Sequence, residues 1–291
     1  MTVKTILYPT KRMGKKRPIF VASTTFYDEL PDAFGLDGSP YSAAGLRVAE
    51  DEYWEKYYEV SDYAYEWNNG VLEEKPVSDY ATFKIYKWLF LLVEAYLLSH
   101  PIGKLVALET GFRLPLADKI TIRKPDFFVV RNDNPTPYLD SDNRFQGIAD
   151  LCVEAISDTS KKNLERDTKT KRSEYEMAGV HEFFMLDASN VHMTFYRRTP
   201  DGEYLAIPVD SDGIIRSEVL PGFQFRLTDL YRQPSLLVLS EDEVYRHFVL
   251  PEVGALKARA EQERTRAEQE YTRAERLAAK LRELGISEDD V

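Results

Sequence analysis

Two carboxylates stand in segments that are otherwise apolar. Asp126 lies between Pro125 and the run Phe127-Phe128-Val129-Val130, and Glu154 interrupts the run from Leu151 to Ile156. A carboxylate inside a buried strand is costly unless it is paired or bound to a cation. Two such carboxylates on adjacent strands can provide oxygen ligands for Mg²⁺ or Mn²⁺. A cation held there can activate a water and stabilise the leaving oxygen of a phosphodiester.

The residues themselves leave an alternative open for both carboxylates. Either side chain can lie at a strand end in solvent, or it can pair with a neighbouring Lys or Arg. Arg123 and Lys124 stand close to Asp126 and are candidates for such a pair. In that case the carboxylates are structural.

A basic segment follows Glu154 within an acidic part of the chain. Residues 160–172 hold two acidic and six basic side chains, which are Lys161, Lys162, Arg166, Lys169, Lys171 and Arg172. On a helix, Asp167 and Lys171 share a face, and so do Lys171 and Tyr175. Lys171 can assist an attacking water or neutralise charge on a phosphate. The other five basic residues are candidates for contact with a nucleic-acid backbone, and a solvated helix surface is the alternative.

Other kinds of site are missing from the sequence. It contains no glycine-rich phosphate loop, no HExxH motif and no nucleophile elbow. Cys152 is the single cysteine, and none of the four histidines pairs with another at ligand spacing, so a zinc site is not expected. Any catalysis must therefore depend on carboxylates and lysines.

The charge of the chain is uneven. Its 291 residues include 38 Lys and Arg against 49 Asp and Glu, a formal net charge of −11, and residues 51–253 alone carry a net −12. This balance argues against non-specific adhesion to phosphate backbones, but a local basic groove or a bound cation can reverse the sign at a site. The chain shows neither a secretory signal nor an apolar run of about 18 residues, so we expect a cytoplasmic protein without a membrane partner.

Turn signals and apolar periodicity predict the first elements. Asn68-Asn69-Gly70 is typical of the turn of a β-hairpin between residues 63–67 and 71–73. Ser78 is a candidate cap for a helix that runs to about Ser99. One face of this helix is predicted to be buried through Phe83, Tyr86, Leu89, Phe90, Val93 and Leu97.

The elements that must position the two carboxylates are strands. We expect strands at residues 105–114, 122–130, 149–156, 182–186, 191–196 and 204–208. A polar helix over residues 160–178, ended by Gly179, separates the third strand from the fourth. This order predicts a mixed α/β sheet.

The C-terminal segment differs in kind, because it repeats every seven residues. Ala260, Ala267, Ala274 and Leu281 define a heptad, but Glu263 and Glu270 occupy other seam positions and weaken it. A single solvated helix held by Glu–Arg pairs is one interpretation. Self-association, or docking of a protein partner, is the other.

Five blocks in order resemble the Uma-two family of endonucleases. The blocks are 65–73 (YEWNNGVLE), 123–130 (RKPDFFVV), 149–157 (ADLCVEAIS), the pattern Asp167…Lys171…Tyr175…Ala178-Gly179-Val180, and 182–187 (EFFMLD). The resemblance covers about residues 60–210. It implies the restriction-endonuclease-like, PD-(D/E)XK fold.

Carried over by residue, the resemblance assigns the site. Asp126 is the aspartate of the Pro-Asp motif, Glu154 is the acidic member of the second motif, and Lys171 is the family lysine four residues before a tyrosine. Ile156 stands where the wider fold has a lysine. Glu109 matches an acidic residue on the preceding strand and is a candidate accessory metal ligand. The chain departs from the family in lacking a histidine after Val77 and an acidic residue before Gly70.

We therefore expect an α/β (α+β) protein with a restriction-endonuclease-like mixed β-sheet core flanked by helices and a long C-terminal helix. The predicted divisions are an N-terminal extension (1–50), a nuclease domain (51–245) and a helical arm (246–291). The predicted activity is hydrolysis of DNA with Mg²⁺ or Mn²⁺ by Asp126, Glu154 and Lys171, with weaker roles for Asp167 and Tyr175. A homodimer is compatible with cutting two strands. The alternatives are a catalytically weak or inactive scaffold that recruits a partner through its C-terminal helix, and a nuclease acting on RNA or on nucleic-acid ends.

Overall fold

The computed structural model describes residues 42–156 and 161–283. Most of the predicted N-terminal extension lies outside these residues. The helices are α1 (Glu50–Glu52), α2 (Tyr80–Ser99), α3 (Lys161–Glu165), α4 (Arg172–Ala178), α5 (Asp229–Arg232), α6 (Leu236–Leu239) and α7 (Pro251–Glu283). Two π-helical turns, Tyr53–Tyr57 and Arg166–Lys171, extend α1 and join α3 to α4.

In the described part of the chain, twelve strands form three sheets. The strands are β1 (Tyr65–Asn68), β2 (Val71–Glu74), β3 (Gly103–Val106), β4 (Phe112–Pro115), β5 (Ile120–Arg123), β6 (Phe127–Arg131), β7 (Leu151–Ala155), β8 (Glu182–Leu186), β9 (Thr194–Arg198), β10 (Tyr204–Ala206), β11 (Ile214–Arg216) and β12 (Gln224–Arg226). Their orders are β2-β1-β5-β4, β10-β9-β8-β7-β6-β3 and β11-β12. The predicted mixed α/β fold is confirmed, since β7 and β8 pair in parallel and the other pairs are antiparallel.

The hairpin of β1 and β2 turns where the sequence predicts it. Asn69 and Gly70 have φ values of +47° and +93°, the left-handed backbone that a two-residue turn requires. Residues before this hairpin also pack on it, because Arg47 forms a bridge to Val71 and Val48 is buried.

Helix α2 covers one face of the six-stranded sheet, with two differences from the prediction. Asp79 rather than Ser78 is the N-cap, and its carboxylate accepts a hydrogen bond from the Thr82 backbone N–H at 2.7 Å. Of the predicted buried face, Leu89, Val93 and Leu97 are buried, and Tyr86 and Phe90 pack against the core, but Phe83 in the first turn is 45 % exposed. The buried surface is wider than predicted and also includes Ile85, Trp88, Leu92 and Tyr96.

Two segments predicted as continuous strands are each divided between two sheets. Residues 105–114 contain β3 and β4, and residues 122–130 contain β5 and β6. The first break holds Leu108 and Glu109, both at a φ of +60°, and the second holds Lys124-Pro125-Asp126. Proline lacks the N–H that a central strand needs, so the chain leaves one sheet there and enters the other.

Residues 161–178, which precede β8, are helical as predicted, and the helix ends at Gly179, whose φ is +93°. The predicted helix start at residue 160 lies outside the described residues. This helical segment lies over the second face of the six-stranded sheet. Strand residues alternate between the faces: Val153 packs with α2, and Cys152 packs with Tyr175 of α4. Glu154, two residues after Cys152, therefore faces the helical crossover.

Helix α7 has no buried side chain. Exposed Arg–Glu pairs four residues apart follow its surface, at Arg259–Glu263, Arg264–Glu268 and Arg266–Glu270. Among the helices that the structure describes, none combines the length and apolar character that crossing a membrane requires.

A buried ion-pair network joins the four-stranded sheet to the crossover helix. Arg123 of β5 is fully buried and donates to Glu174 of α4 at 2.6 and 3.0 Å, to Glu66 of β1 at 3.1 Å and to Glu73 of β2. Three strands and one helix thus share one guanidinium. We call Arg123, Glu66, Glu73 and Glu174 the buried ion-pair network.

Replacing Arg123 with Met should lower the free energy of unfolding by about 3–5 kcal/mol, because three carboxylates would lose their shared cation inside the protein. The matched control is Arg113→Met on the adjacent strand. Arg113 pairs with Glu50 at 2.8 Å but is 41 % exposed, and its loss should cost less than about 1 kcal/mol. Urea titration of both variants measures the difference. If both substitutions lowered the free energy of unfolding equally, the buried ion-pair network would not stabilise the fold more than an exposed ion pair does.

Candidate active site

Asp126 is held against β7 by two backbone contacts. Its N–H donates to the Val153 carbonyl at 3.1 Å, and its Oδ2 accepts from the Ala155 N–H at 2.7 Å. The side chain is 24 % exposed. Neither of the two basic residues that precede it in the sequence pairs with the Asp126 carboxylate. Arg123 belongs to the buried ion-pair network, and the Lys124 Nζ donates to the Tyr58 carbonyl at 2.9 Å.

Glu154 is buried in β7 and receives three hydrogen bonds. The Lys171 Nζ donates to both carboxylate oxygens at 3.0 Å, and the Tyr175 hydroxyl donates to Oε1 at 2.8 Å. Asp167 lies 3.6 Å from the same ammonium. The predicted common face of Asp167, Lys171 and Tyr175 is therefore present, and it is directed at Glu154.

The Lys171 ammonium lies among three carboxylates. Besides Glu154 and Asp167, it contacts Glu66 Oε1 at 3.1 Å, and Lys171 is only 2 % exposed. Glu66 was missed in the sequence prediction. A signal for it exists, because it stands between Tyr65 and Trp67 in a strand, as Glu154 stands between apolar residues.

The charges around Lys171 act differently on the two buried glutamates. Burial by itself would raise the pKa of Glu66, but the charges of Lys171 and Arg123 outweigh it and hold the pKa well below its ordinary value. Burial raises the pKa of Glu154 to about 7, with the charge of Asp126 adding to the rise and that of Lys171 opposing it. Asp126 and Glu154 are thus close enough to repel each other.

A second lysine, Lys75, lies beside Asp126. Its Nζ is 3.4 Å from Asp126 Oδ1 and 3.2 Å from Glu109 Oε1, and it donates to the Lys124 carbonyl at 2.8 Å. Glu109, predicted on a strand, lies on the loop between β3 and β4. No pattern in the sequence marks Lys75, which simply follows β2 and precedes a proline.

The five candidate nucleic-acid contacts do not share one environment. Lys161, Lys162 and Lys169 are exposed, and Arg172 is partly buried. Arg166 is 8 % exposed, and its Nη1 donates to the Glu74 carbonyl at 3.0 Å. The exposed lysines are therefore better placed than Arg166 to meet a large ligand.

Comparisons with known proteins place this fold among putative nucleases. A crystal structure of a putative nuclease belonging to DUF820 from Anabaena variabilis matches with a TM-score of 0.51 at 16 % identity, covering 64 % of this chain and 98 % of that one. Residues 51–228 match the model of the Uma2 family, described as "Putative restriction endonuclease". The chain belongs to this family. No curated protein matches it.

Replacing Glu154 with Gln should alter the pH dependence of stability when divalent cations are absent. The ordinary pKa of a glutamate is 4.5, and that of Glu154 in the folded protein is about 7. At pH values between these two, the folded protein keeps a proton on Glu154 that the unfolded chain has lost. The wild-type free energy of unfolding therefore falls as the pH rises through this interval, and the variant lacks that loss. Relative to wild type, the free energy of unfolding of Glu154→Gln should therefore rise by about 2–3 kcal/mol from about pH 4.5 to about pH 7.5. This figure follows from the pKa difference of Glu154, at about 1.4 kcal/mol per pKa unit.

Urea titrations across this pH range check the expectation. Glu203→Gln, at an exposed turn, is the control and should show no such trend. A stability difference for Glu154→Gln that stays constant with pH would contradict the raised pKa.

Proposed function

We propose that this protein is an endonuclease that hydrolyses phosphodiester bonds in DNA with the help of Mg²⁺ or Mn²⁺. The observation that carries the proposal is that Asp126 and Glu154 lie on neighbouring strands. Asp126 directly precedes β6, Glu154 lies in the adjacent β7, and the N–H of Ala155, the residue after Glu154, donates to the Asp126 carboxylate. Membership of the family described as "Putative restriction endonuclease" supports the same reaction class.

The donor set fits a hard cation that keeps several of its waters. In the two ranges that the structure describes, no three His, Cys, Asp or Glu side chains are arranged to hold a metal ion. Mg²⁺ is commonly held by one or two carboxylates and otherwise by water. Asp126 and Glu154 would supply those two carboxylates. Glu109, half-exposed and separated from Asp126 by Lys75, is a weaker candidate.

Each protein group has a distinct part in the proposed reaction. A divalent cation supplies Lewis-acid polarisation of the phosphodiester group. Lys171 and Tyr175 fix the rotamer of Glu154 by three hydrogen bonds, so we assign them to positioning. The exposed lysines Lys161, Lys162 and Lys169 would contact the DNA backbone. Because the whole chain carries −11, DNA binding should be weak, cation-dependent and sensitive to salt.

Asp126→Asn and Glu154→Gln should each reduce cleavage of plasmid DNA by about 100-fold or more, because each removes a charged oxygen ligand from the proposed cation site. Agarose-gel assays with Mg²⁺ or Mn²⁺ measure this, and titration calorimetry with Mn²⁺ tests binding directly. Asp118→Asn, an exposed carboxylate between β4 and β5, should leave both unchanged. Single-stranded DNA and RNA substrates run in parallel define the substrate class.

Two outcomes would replace the proposal. Cleavage that survives both substitutions would remove Asp126 and Glu154 from the mechanism. Absence of cleavage together with absence of Mn²⁺ binding would favour the scaffold alternative, in which the fold is kept and α7 recruits a protein partner.

Dimerisation or partner recruitment through α7 stays a prediction from the sequence. Because α7 buries none of its side chains, a chain that ends at Ala258 should unfold at the same temperature as the full chain. If the heptad Ala260, Ala267, Ala274 and Leu281 joins two copies, sedimentation velocity should show a dimer for the full chain and a monomer for the shorter one. A lower unfolding temperature for the shorter monomer would contradict the view of α7 as an independent arm.

A further inference from the structure

The site contains two lysines whose surroundings differ. The ammonium of Lys171 has oxygens of Glu154, Glu66 and Asp167 within 3.6 Å and is 2 % exposed. The ammonium donates to both oxygens of Glu154 at 3.0 Å and lies 3.1 Å from Glu66 Oε1, so its three N–H donors face buried carboxylates. Redirecting one donor to a substrate would leave a buried carboxylate without its partner, which is costly. Lys171 is therefore poorly suited to contact a phosphate.

Lys75 is differently placed. Its Nζ has one short contact, the 2.8 Å donation to the Lys124 carbonyl, and two longer ones to Glu109 and Asp126 at 3.2 and 3.4 Å. The short contact fixes the position of the ammonium. The two longer hydrogen bonds go to carboxylates that are 49 % and 24 % exposed, so moving one donor from such a carboxylate to a phosphate returns that carboxylate to solvent and leaves no buried charge without a partner.

The backbone that carries Lys75 is also held in place. Its N–H donates to the Ala64 carbonyl at 2.9 Å, and the neighbouring Glu74 carbonyl accepts from Arg166 at 3.0 Å. Pro76 follows directly and restricts the backbone of Lys75 to extended conformations. The end of β2 therefore presents this side chain in one direction.

Exposure shows from which side a large substrate must come. Glu154 and Lys171 are almost fully buried, whereas Asp126 is 24 % and Glu109 49 % exposed, and the Lys75 side chain that contacts both is 10 % exposed. Because Lys75 contacts the two exposed carboxylates and Lys171 contacts only buried ones, a phosphodiester that reaches Asp126 from solvent comes to lie beside Lys75.

We propose that Lys75, placed beside Asp126 by the end of β2, is the cation that contacts the phosphodiester group undergoing hydrolysis, and that Lys171 acts only through Glu154. This inference rests on the nuclease function proposed above. In the hydrolysis, a water oxygen bonds to phosphorus as the P–O bond to the leaving sugar oxygen breaks. One water proton goes to the leaving alcohol and the other to the phosphate product or solvent. Lys75 keeps its protons and stabilises the negative charge on the non-bridging oxygens.

A structural role for Lys75 gives a different expectation. If the ammonium merely balances Asp126 until a divalent cation arrives, the cation displaces it, and its removal should tighten Mn²⁺ binding without slowing cleavage. The two roles therefore differ in their effect on kcat.

The test compares Lys75→Met and Lys75→Arg with wild-type protein, using full-length chains and the DNA substrate that wild type cleaves. For Lys75→Met we expect kcat to fall by about 100-fold with KM changed by less than about threefold. Lys75→Arg should recover about tenfold of that loss, because it restores the cation. Mn²⁺ affinity measured by calorimetry without DNA should not fall, because the substitution removes a positive charge from beside Asp126, and a lower kcat is then not caused by loss of the cation. Lys104→Met on β3, which removes an exposed pair with Asp140, is the matched control and should be unaffected.

Each result has a defined meaning. A Lys75→Met enzyme that cleaves at the wild-type rate, or that binds Mn²⁺ more tightly and keeps its kcat, overturns the role of Lys75 and leaves the nuclease function intact. A wild-type protein that cleaves neither DNA nor RNA overturns both. If thermal unfolding shows that Lys75→Met does not fold, Lys75→Gln, which keeps a donor for the Lys124 carbonyl, takes its place under the same criteria.

Discussion

A chain of buried ion pairs holds this structure together and also builds its site. Arg123 links β5 to Glu174 of the crossover helix and to Glu66 of β1. Glu66 in turn contacts Lys171, which holds Glu154. Each of these groups would be costly if buried alone, so none can move without leaving an uncompensated charge. The same contacts that join the two sheets therefore fix the rotamer of the glutamate in the proposed site.

This constraint explains why the site has a rigid side and an open side. Glu154 and Lys171 are locked by the network and are nearly inaccessible to solvent. Asp126 is fixed through the backbone of β7 instead, so its carboxylate can remain partly exposed. Lys75 and Glu109 border the open side, where Glu109 lies on a loop with an unusual positive φ. Residues on the open side are therefore accessible to a substrate, whereas those on the buried side can only orient their neighbours.

Some residues of the proposed site could be predicted from the sequence, and others could not. Asp126 and Glu154 were identifiable because a carboxylate inside an apolar strand requires an ion-pair partner or a bound cation. The shared face of Asp167, Lys171 and Tyr175 followed from helical spacing. The same reasoning applied to Glu66 would have found a further member. Lys75 was not identifiable, since a lysine at the end of a strand is ordinary until its neighbours in space are known.

By itself, the sequence determined the hairpin turn at Asn69-Gly70, helix α2 and the helix before Gly179, because these depend on local backbone preference and apolar period, and the resemblance of its five blocks indicated the family. Only the tertiary structure decided where residues 105–114 and 122–130 divide between two sheets, and which cation meets which carboxylate. With 38 basic and 49 acidic side chains, a great many pairings are possible. The long-range packing of β1, β5, β7 and the crossover helix selects among them, and no local pattern encodes that choice.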